Sequence, residues 1–427
     1  MNMLRQAGAW LLILLAIPLG AVGGAVALFA LVATTGSRIA GAIVGALALV
    51  LITGLLSRWG LRVITGARGL RRWVPAAIAG LTLAVVGTVT ALLVFSPGAP
   101  STPFHTTGDW EYWDLPTGSR IAYRYVPAQG APQATPVIMV HGGPGAPEGG
   151  LESAVPTLTE IGFDVYQYNQ VGAGLSERLE EVAEYTVDRH VDDLEAIRQA
   201  IGSDQLILVG ESWGGTLIAN YLAAHPDRVG RAVVSSPGPI WAPAFENTDG
   251  LTASGRRDQD QVIADYPRFM VAHVLLGTVG HRVAHTLLPG HQIDGEFEDL
   301  VSSLDLWSGC SVEQHPASGP VRDDQAGVGF WANAMTALDA RQVPDPRPAL
   351  QSVATPLLVL RSECDYRAWE ATREYRDLFP NAIMLTVEDA GHVIPNDRPE
   401  LYQRAVRAFL LDQPLPEPPY RGTEAPW

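Results

Sequence analysis

The chain has 427 residues, 47% of them hydrophobic, with a net charge of −16 and a mean hydropathy of +0.11. That length admits a membrane segment plus one large domain, or two domains. Residues 1–95 hold seven arginines and no acidic residue, leaving 22 arginines against all 45 acidic residues in the remainder. So acidic a portion repels phosphates, which argues against nucleic acid as a partner and favours cationic ligands, including peptides with a free amino terminus.

Three apolar runs open the chain: Ala9 to Val32, Ile39 to Leu56 and Trp73 to Phe95. Each approaches or exceeds the roughly 18–20 residues that a helix needs to cross the hydrocarbon core. The first is too long for the apolar region of a secretory signal, and two comparable runs follow it. Buried core helices would need a polar face, which these runs lack. The expectation is therefore a membrane segment over 1–95 with the lipid bilayer as its partner. The loop between the second and third runs carries Arg58, Arg62, Arg68, Arg71 and Arg72, against Arg38 alone in the first loop. Placing the arginine-rich loop inside puts everything after Phe95 outside the cytoplasm, as a multi-pass membrane protein with an extracytoplasmic domain. Gly20, Gly23 and Gly24 in the first run are candidates for close helix packing.

Residues 96–108 read as a linker, and 109–427 as an α/β domain in which short β-like runs alternate with helical patterns. Strands are expected at Ile121–Val126, Val137–Val140, Val165–Tyr168, Leu206–Val209 and Ala232–Val234, then at Leu357–Leu360 and Ile383–Leu385. Val187, Val191, Leu194 and Ile201 mark a helix that Gly202 stops. The strand rhythm disappears from about 240 to 350, where a helical cap would be inserted. Leu401–Leu411 reads as a closing helix, and the Pro-rich tail from Gln413 as irregular.

Gly210-Glu211-Ser212-Trp213-Gly214 follows the apolar run Leu206–Val209 and runs into a helix. A strand ending in G-x-S-x-G holds a serine hydroxyl out on a tight turn, above the sheet. An ordinary Gly-rich turn is the alternative, so the partners decide. Serine needs a base to take its proton and a third group to orient that base. Asp365 and His392 follow in the chain order that an elbow serine requires, each in a loop at a strand's carboxyl end. A surface carboxylate is the bland reading for Asp365, with Glu363 as a rival two residues away, and a structural histidine is that for His392. Backbone N–H groups for a developing oxyanion would come from Trp213 and from Gly143 in the loop His141-Gly142-Gly143-Pro144-Gly145.

These motifs, with Gln170-Val171-Gly172-Ala173-Gly174-Leu175-Ser176, resemble the prolyl iminopeptidase branch of the α/β-hydrolase superfamily, over roughly Trp110 to Leu411 without the cap. The resemblance implies the α/β-hydrolase fold, with a mostly parallel central sheet and a helical cap, and release of an N-terminal residue, often proline, from peptides. It carries Ser212, Asp365 and His392 over as the triad, with Gly143 and Trp213 at the oxyanion. Two departures stand out. The family's Asp-Gln-Arg-Gly stretch is here Asn169-Gln170-Val171-Gly172. Its cap glutamates, which bind the substrate amine, have no assignable equivalents; Glu246 and Glu296 are put forward from a set that includes Asp249, Glu298 and Glu313. The expected substrate is a peptide or a small acyl compound. An esterase or lipase is the runner-up, and a non-catalytic receptor keeping the fold is the reading from a different class.

Cys310 and Cys364 form a disulfide or remain two buried thiols; the sequence leaves both open. His281 and His285 have a helical metal spacing but lack the adjacent Glu and a third ligand, so no metal is expected. Gly172-Ala173-Gly174 lacks the remainder of a nucleotide fingerprint, so no cofactor is expected. Nothing in the sequence sets the oligomeric state.

Overall fold

The structure, a computed structural model, describes residues 3–65, 73–101, 110–147, 150–245, 263–303, 310 and 327–427. It divides into two compact units: Met1–Gly98 with Pro267–Gln292, and Ala99–Tyr266 with Ile293–Trp427.

In the first unit, α1 (Met3–Thr35), α2 (Arg38–Thr65) and α3 (Trp73–Thr90, continued by a π-helical turn Ala91–Phe95) are long and apolar enough to cross a membrane. α1 and α2 meet backbone to backbone through small residues. A Cβ added to Gly24 would lie 2.9 Å from the Gly45 carbonyl oxygen, and one added to Gly45 would lie 2.8 Å from that of Gly24. Close approach of this kind is how helices associate where burial of apolar surface supplies no drive. Gly20 likewise faces Thr53, whose hydroxyl donates to the Ala16 carbonyl at 3.3 Å.

The second unit carries an eight-stranded sheet. Its strands are β1 (Glu111–Asp114), β2 (Arg120–Val126), β3 (Val137–Val140), β4 (Val165–Tyr168), β5 (Leu206–Glu211), β6 (Val229–Ser235), β7 (Leu357–Ser362) and β8 (Ala382–Val387). Their spatial order is β1-β2-β4-β3-β5-β6-β7-β8, with β2 antiparallel to both neighbours and the pairs from β4 to β8 parallel. β3, β5 and β7 are buried along their whole length, which is why they read as unbroken apolar runs.

Helices α4 (Val155–Glu160), α5 (Val187–Ile201) and α6 (Trp213–Ala224) lie between the early strands. α5 begins where the Thr186 hydroxyl accepts from the Arg189 N–H at 3.0 Å, and it ends at Gly202 in the left-handed region, φ 78°. The inserted region holds α7 (Pro267–Val279), α8 (His281–Leu287), α9 (Gly290–Ser303), α10 (Phe330–Asp339) and α11 (Arg347–Leu350). α12 (Trp369–Leu378), α13 (Ile394–Asp397) and α14 (Pro399–Leu410) complete the chain.

The strand expectations match within three residues at each end, and β1 was missed. The insertion is less uniform than its sequence suggests. Residues 267–292, which the sequence places in the cap, group with the membrane-length helices of the first unit.

Candidate active site

Ser212 sits between β5 and α6 with φ 53° and ψ −120°, a conformation that L-residues rarely adopt. The neighbouring glycines explain how the chain tolerates it. A Cβ on Gly214 would come within 2.0 Å of the Val140 carbonyl oxygen, and one on Gly210 within 3.0 Å of the Gly214 carbonyl. The turn is pinned by the Ser212 N–H donating to Ser235 O at 3.1 Å, and by the N–H groups of Gly215 and Gly238 donating to Ser212 O at 2.9 and 2.8 Å.

The loop after β3 lies beside this serine. A Cβ on Gly142 would stand 3.1 Å from the Ser212 Cβ and 3.8 Å from its Oγ. Gly143 has φ 112°, with no room for a side chain against the backbone nitrogens of Gly145 and Ala146, at 2.6 and 2.5 Å. Trp213 is the first residue of α6, so its backbone N–H has no acceptor within the helix.

Buried Gln170 ties these parts together. Its side-chain amide donates to His141 O at 2.8 Å, its oxygen accepts from the Trp213 indole at 2.9 Å, and its backbone N–H donates to His141 Nε2 at 2.8 Å. That last bond makes His141 Nε2 an acceptor and puts the ring proton on Nδ1, 2.9 Å from Gly142 O. Burial lowers the His141 pKa to about 4, with bonds to the Gly142 and Ala146 backbone pulling the other way. Asn169, where the resembled family has an aspartate, accepts from the Leu175 N–H at 3.0 Å and so keeps a turn-holding role.

Asp365 and His392 meet at the carboxyl ends of β7 and β8. His392 Nδ1 lies 2.7 Å from Asp365 Oδ1, and both side chains are inaccessible to solvent. The same carboxylate oxygen accepts from the Arg367 N–H at 3.0 Å, while Oδ2 accepts from Arg361 Nη1 at 3.0 Å. Burial alone would raise the Asp365 pKa; the charges of His392 and Arg361 and the hydrogen bonds outweigh it, and the net direction is down. Glu363, the rival carboxylate, accepts instead from the Asp389 N–H at 3.0 Å. The two loops are also joined by the Cys364 N–H donating to Ala390 O at 2.9 Å. Cys364 is disulfide-bonded to Cys310, with Cα atoms 5.1 Å apart, which closes the alternative of two free thiols.

Sequence reasoning missed Arg361, and it quoted Gln170 within a motif without giving it a role. Arg361 also donates to Thr372 Oγ1 at 3.2 Å and to Arg367 O at 2.8 Å, so it braces the whole acid loop. An arginine directly after the apolar run Leu357–Leu360, inside a buried strand, was the available signal.

Of the carboxylates put forward for an amine, Glu246 lies outside the described residues, as do Asp249 and Glu313. Glu296 is half-buried on α9, and Glu298 on the same helix is buried. Asp294, not put forward, is also buried there; it accepts from the Phe330 N–H at 3.0 Å and faces Arg178 at 3.7 Å. Burial pushes its pKa up to about 6 against the pull of Arg178 and Phe330.

Residues 135–399 match the model of the alpha/beta hydrolase fold family. A proline iminopeptidase of Heyndrickxia coagulans is 27% identical over 304 residues, which are 69% of this chain and 96% of that protein. A putative 2-succinyl-6-hydroxy-2,4-cyclohexadiene-1-carboxylate synthase of Bacillus subtilis (strain 168) is 24% identical over 67% of this chain and 94% of that protein. Among solved structures, a bromoperoxidase from Bacillus anthracis superposes with a TM-score of 0.52 at 18% identity, covering 71% of this chain and all (100%) of that one.

Proposed function

The chain belongs to the alpha/beta hydrolase family, and from that premise we propose that it is a serine hydrolase with Ser212, His392 and Asp365 as its triad. The observation that carries this reading is the Asp365–His392 contact of 2.7 Å in a solvent-free setting, on the same sheet edge as the strained Ser212 turn. His392 takes the Ser212 proton as Oγ attacks an acyl carbon. The N–H groups of Gly143 and Trp213 stabilise the oxyanion of the tetrahedral intermediate. His392 then protonates the leaving group, and water, activated by the same imidazole, releases the acyl group and restores Ser212. Asp365 holds the imidazole with its proton on Nδ1, leaving Nε2 to act as base.

Within this class the favoured activity is that of an aminopeptidase of prolyl iminopeptidase type, with Glu246 and Glu296 as candidate partners of the substrate amine. Supporting it are the likeness to the H. coagulans enzyme across nearly its whole length and the acidic character of the domain. The domain is placed outside the cytoplasm. The arginine-rich loop between α2 and α3 supports that orientation, and so does the Cys310–Cys364 disulfide, a bond that persists in oxidising compartments.

Fluorophosphonate labelling tests the chemistry: the parent chain is labelled and Ser212→Ala is not. No labelling of the folded parent, or labelling that survives the substitution, ends the serine mechanism and leaves the non-catalytic receptor reading. Prolyl and other aminoacyl arylamides compared with short-chain esters then choose the substrate class, and hydrolysis confined to esters removes the aminopeptidase assignment. A reporter fused after Trp427 that is active only in the cytoplasm would reverse the orientation.

A further inference from the structure

The first unit contains an apolar cavity of about 440 Å³, within the size range of small-ligand sites. Its walls come from the second half of α1, the first half of α2, the end of α3, and Val271, Leu275 and Leu287 of the inserted segment. It therefore lies toward the end of the bundle where α1 turns into α2 and where α3 finishes. α7 is docked at that end by Arg268, a buried side chain that donates to the carbonyls of Leu92 and Ser96, both at 3.1 Å.

Arg38 borders this cavity. The Arg38 guanidinium stands over the ring of Phe95, a lining residue, 5.7 Å from its centroid. Its Nη1 is buried and has no hydrogen-bond partner among the described residues. A buried guanidinium nitrogen without an acceptor is costly, because that N–H has given up water and the contact with the Phe95 ring supplies no acceptor for it. An anionic oxygen would satisfy it.

We propose that this site binds an anionic membrane lipid, with one acyl chain in the cavity and its phosphate at Arg38. The inference rests on α1–α3 crossing a membrane and is independent of the chemistry at Ser212. Three observations choose the occupant. The walls are apolar and have no charged member, so water is disfavoured there. The medium around membrane-length helices is hydrocarbon, which presents acyl chains to any apolar opening. The cation sits where α1 ends and α2 begins, the end of two spans that meets lipid headgroups when they cross a bilayer, and Arg binds phosphate through several donors at once. The bound chain would touch residues of the inserted segment as well as the three spans.

The test uses the full chain in phosphatidylcholine nanodiscs containing phosphatidylglycerol with a diazirine on one acyl chain. After photolysis, adducts are mapped by peptide mass spectrometry. Adducts are expected at the lining segments 83–95 and 271–275, at least five-fold above those at Leu47, Leu51 and Leu55, which are exposed on α2. Ala46→Phe, which fills the cavity, should lower lining adducts several-fold, and Val271→Phe should repeat the effect from the inserted segment. Arg38→Gln should abolish the preference for phosphatidylglycerol over a phosphatidylcholine probe. Equal labelling of lining and outward positions overturns the site, and so does labelling that neither filling variant reduces. Equal yields from the two headgroups in the parent chain overturn the role of Arg38.

Discussion

Asp365→Asn probes the acid loop most sharply, because the change is isosteric and its consequence can be worked out atom by atom. The carboxylate accepts on both oxygens: His392 Nδ1 and the Arg367 N–H on Oδ1, and Arg361 Nη1 on Oδ2. An amide supplies one acceptor and one donor. With its NH₂ toward Arg361, a donor faces a buried guanidinium. With its NH₂ toward His392, the imidazole must accept at Nδ1 and carry its proton on Nε2, the tautomer that cannot take a proton from serine. The second arrangement loses the neutral Arg367 N–H bond but keeps an acceptor for the charged, buried Arg361, and is expected to dominate. The wrong tautomer costs roughly 10⁴ in kcat when a triad aspartate becomes asparagine, which corresponds to about 5 kcal/mol of transition-state stabilisation. Losing the carboxylate charge beside Arg361 adds a folding penalty on the order of 3 kcal/mol, the lower end for breaking a buried pair. The assays are arylamide and ester hydrolysis, the rate of fluorophosphonate labelling, and thermal unfolding. Glu363→Gln serves as the control, expected within about three-fold of the parent because that side chain accepts from the Asp389 N–H and does not touch His392 among the described residues. A labelling rate for Asp365→Asn within ten-fold of the parent, or a larger loss in Glu363→Gln, would refute the assignment of the acid.

The Cys310–Cys364 bond closes a separation of 54 residues, for which chain entropy gives about 4 kcal/mol at most. The Cys310→Ser/Cys364→Ser chain should lose roughly 2–4 kcal/mol and become indifferent to reductant; a parent chain unaffected by reductant contradicts this. His190 is buried against Thr336, and burial, with the charges of His141 and Arg189, lowers its pKa to about 3. Its folded pKa lies below the unfolded value near 6.5, so its contribution is complete above about 6.5 and is lost as pH falls toward 3. Between pH 7 and 5 the parent should therefore lose about 2 kcal/mol more than His190→Asn in urea unfolding, and parallel pH profiles would disprove it. Asn333 donates to Pro144 O at 2.9 Å, holding the loop that carries Gly143, the proposed oxyanion donor. Asn333→Ala should cut kcat about ten-fold for a stability loss near 1 kcal/mol, and an unchanged kcat removes the positioning role.

What could be read from the sequence is what local sterics and burial dictate. Gly210 and Gly214 are legible because the elbow leaves them no space, and β3, β5 and β7 because both faces of those strands are covered. β1 was missed for the opposite reason. Glu111–Asp114 is an exposed edge strand with acidic ends, held by Trp113 stacking on Tyr123 at 3.5 Å, a partner known only once the strands pair. Arg361 was missed because its significance lies in Asp365 and Arg367 across a loop. The disulfide stayed open until the Cα separation was known. α7, at 13 residues, is too short to register as a span, and nothing local says that it groups with the membrane-length helices.

The insertion also explains why likeness at the sheet edge leaves the substrate undecided. In the hydrolase unit its later part grips the loop after β3 twice, through Asn333 to Pro144 O and through the Gly329 N–H to Gly145 O, both at 2.9 Å. Cys310 bonds it to the acid loop beside Asp365. The residues between β6 and β7 therefore hold both catalytic loops under the proposed mechanism, as well as supplying any wall around the substrate. A substitution in the insertion can act on the chemical step through these contacts and on substrate choice through the wall. The two effects separate in the split between kcat and KM, since a wall residue shifts KM among acyl groups and a gripping residue lowers kcat for all of them.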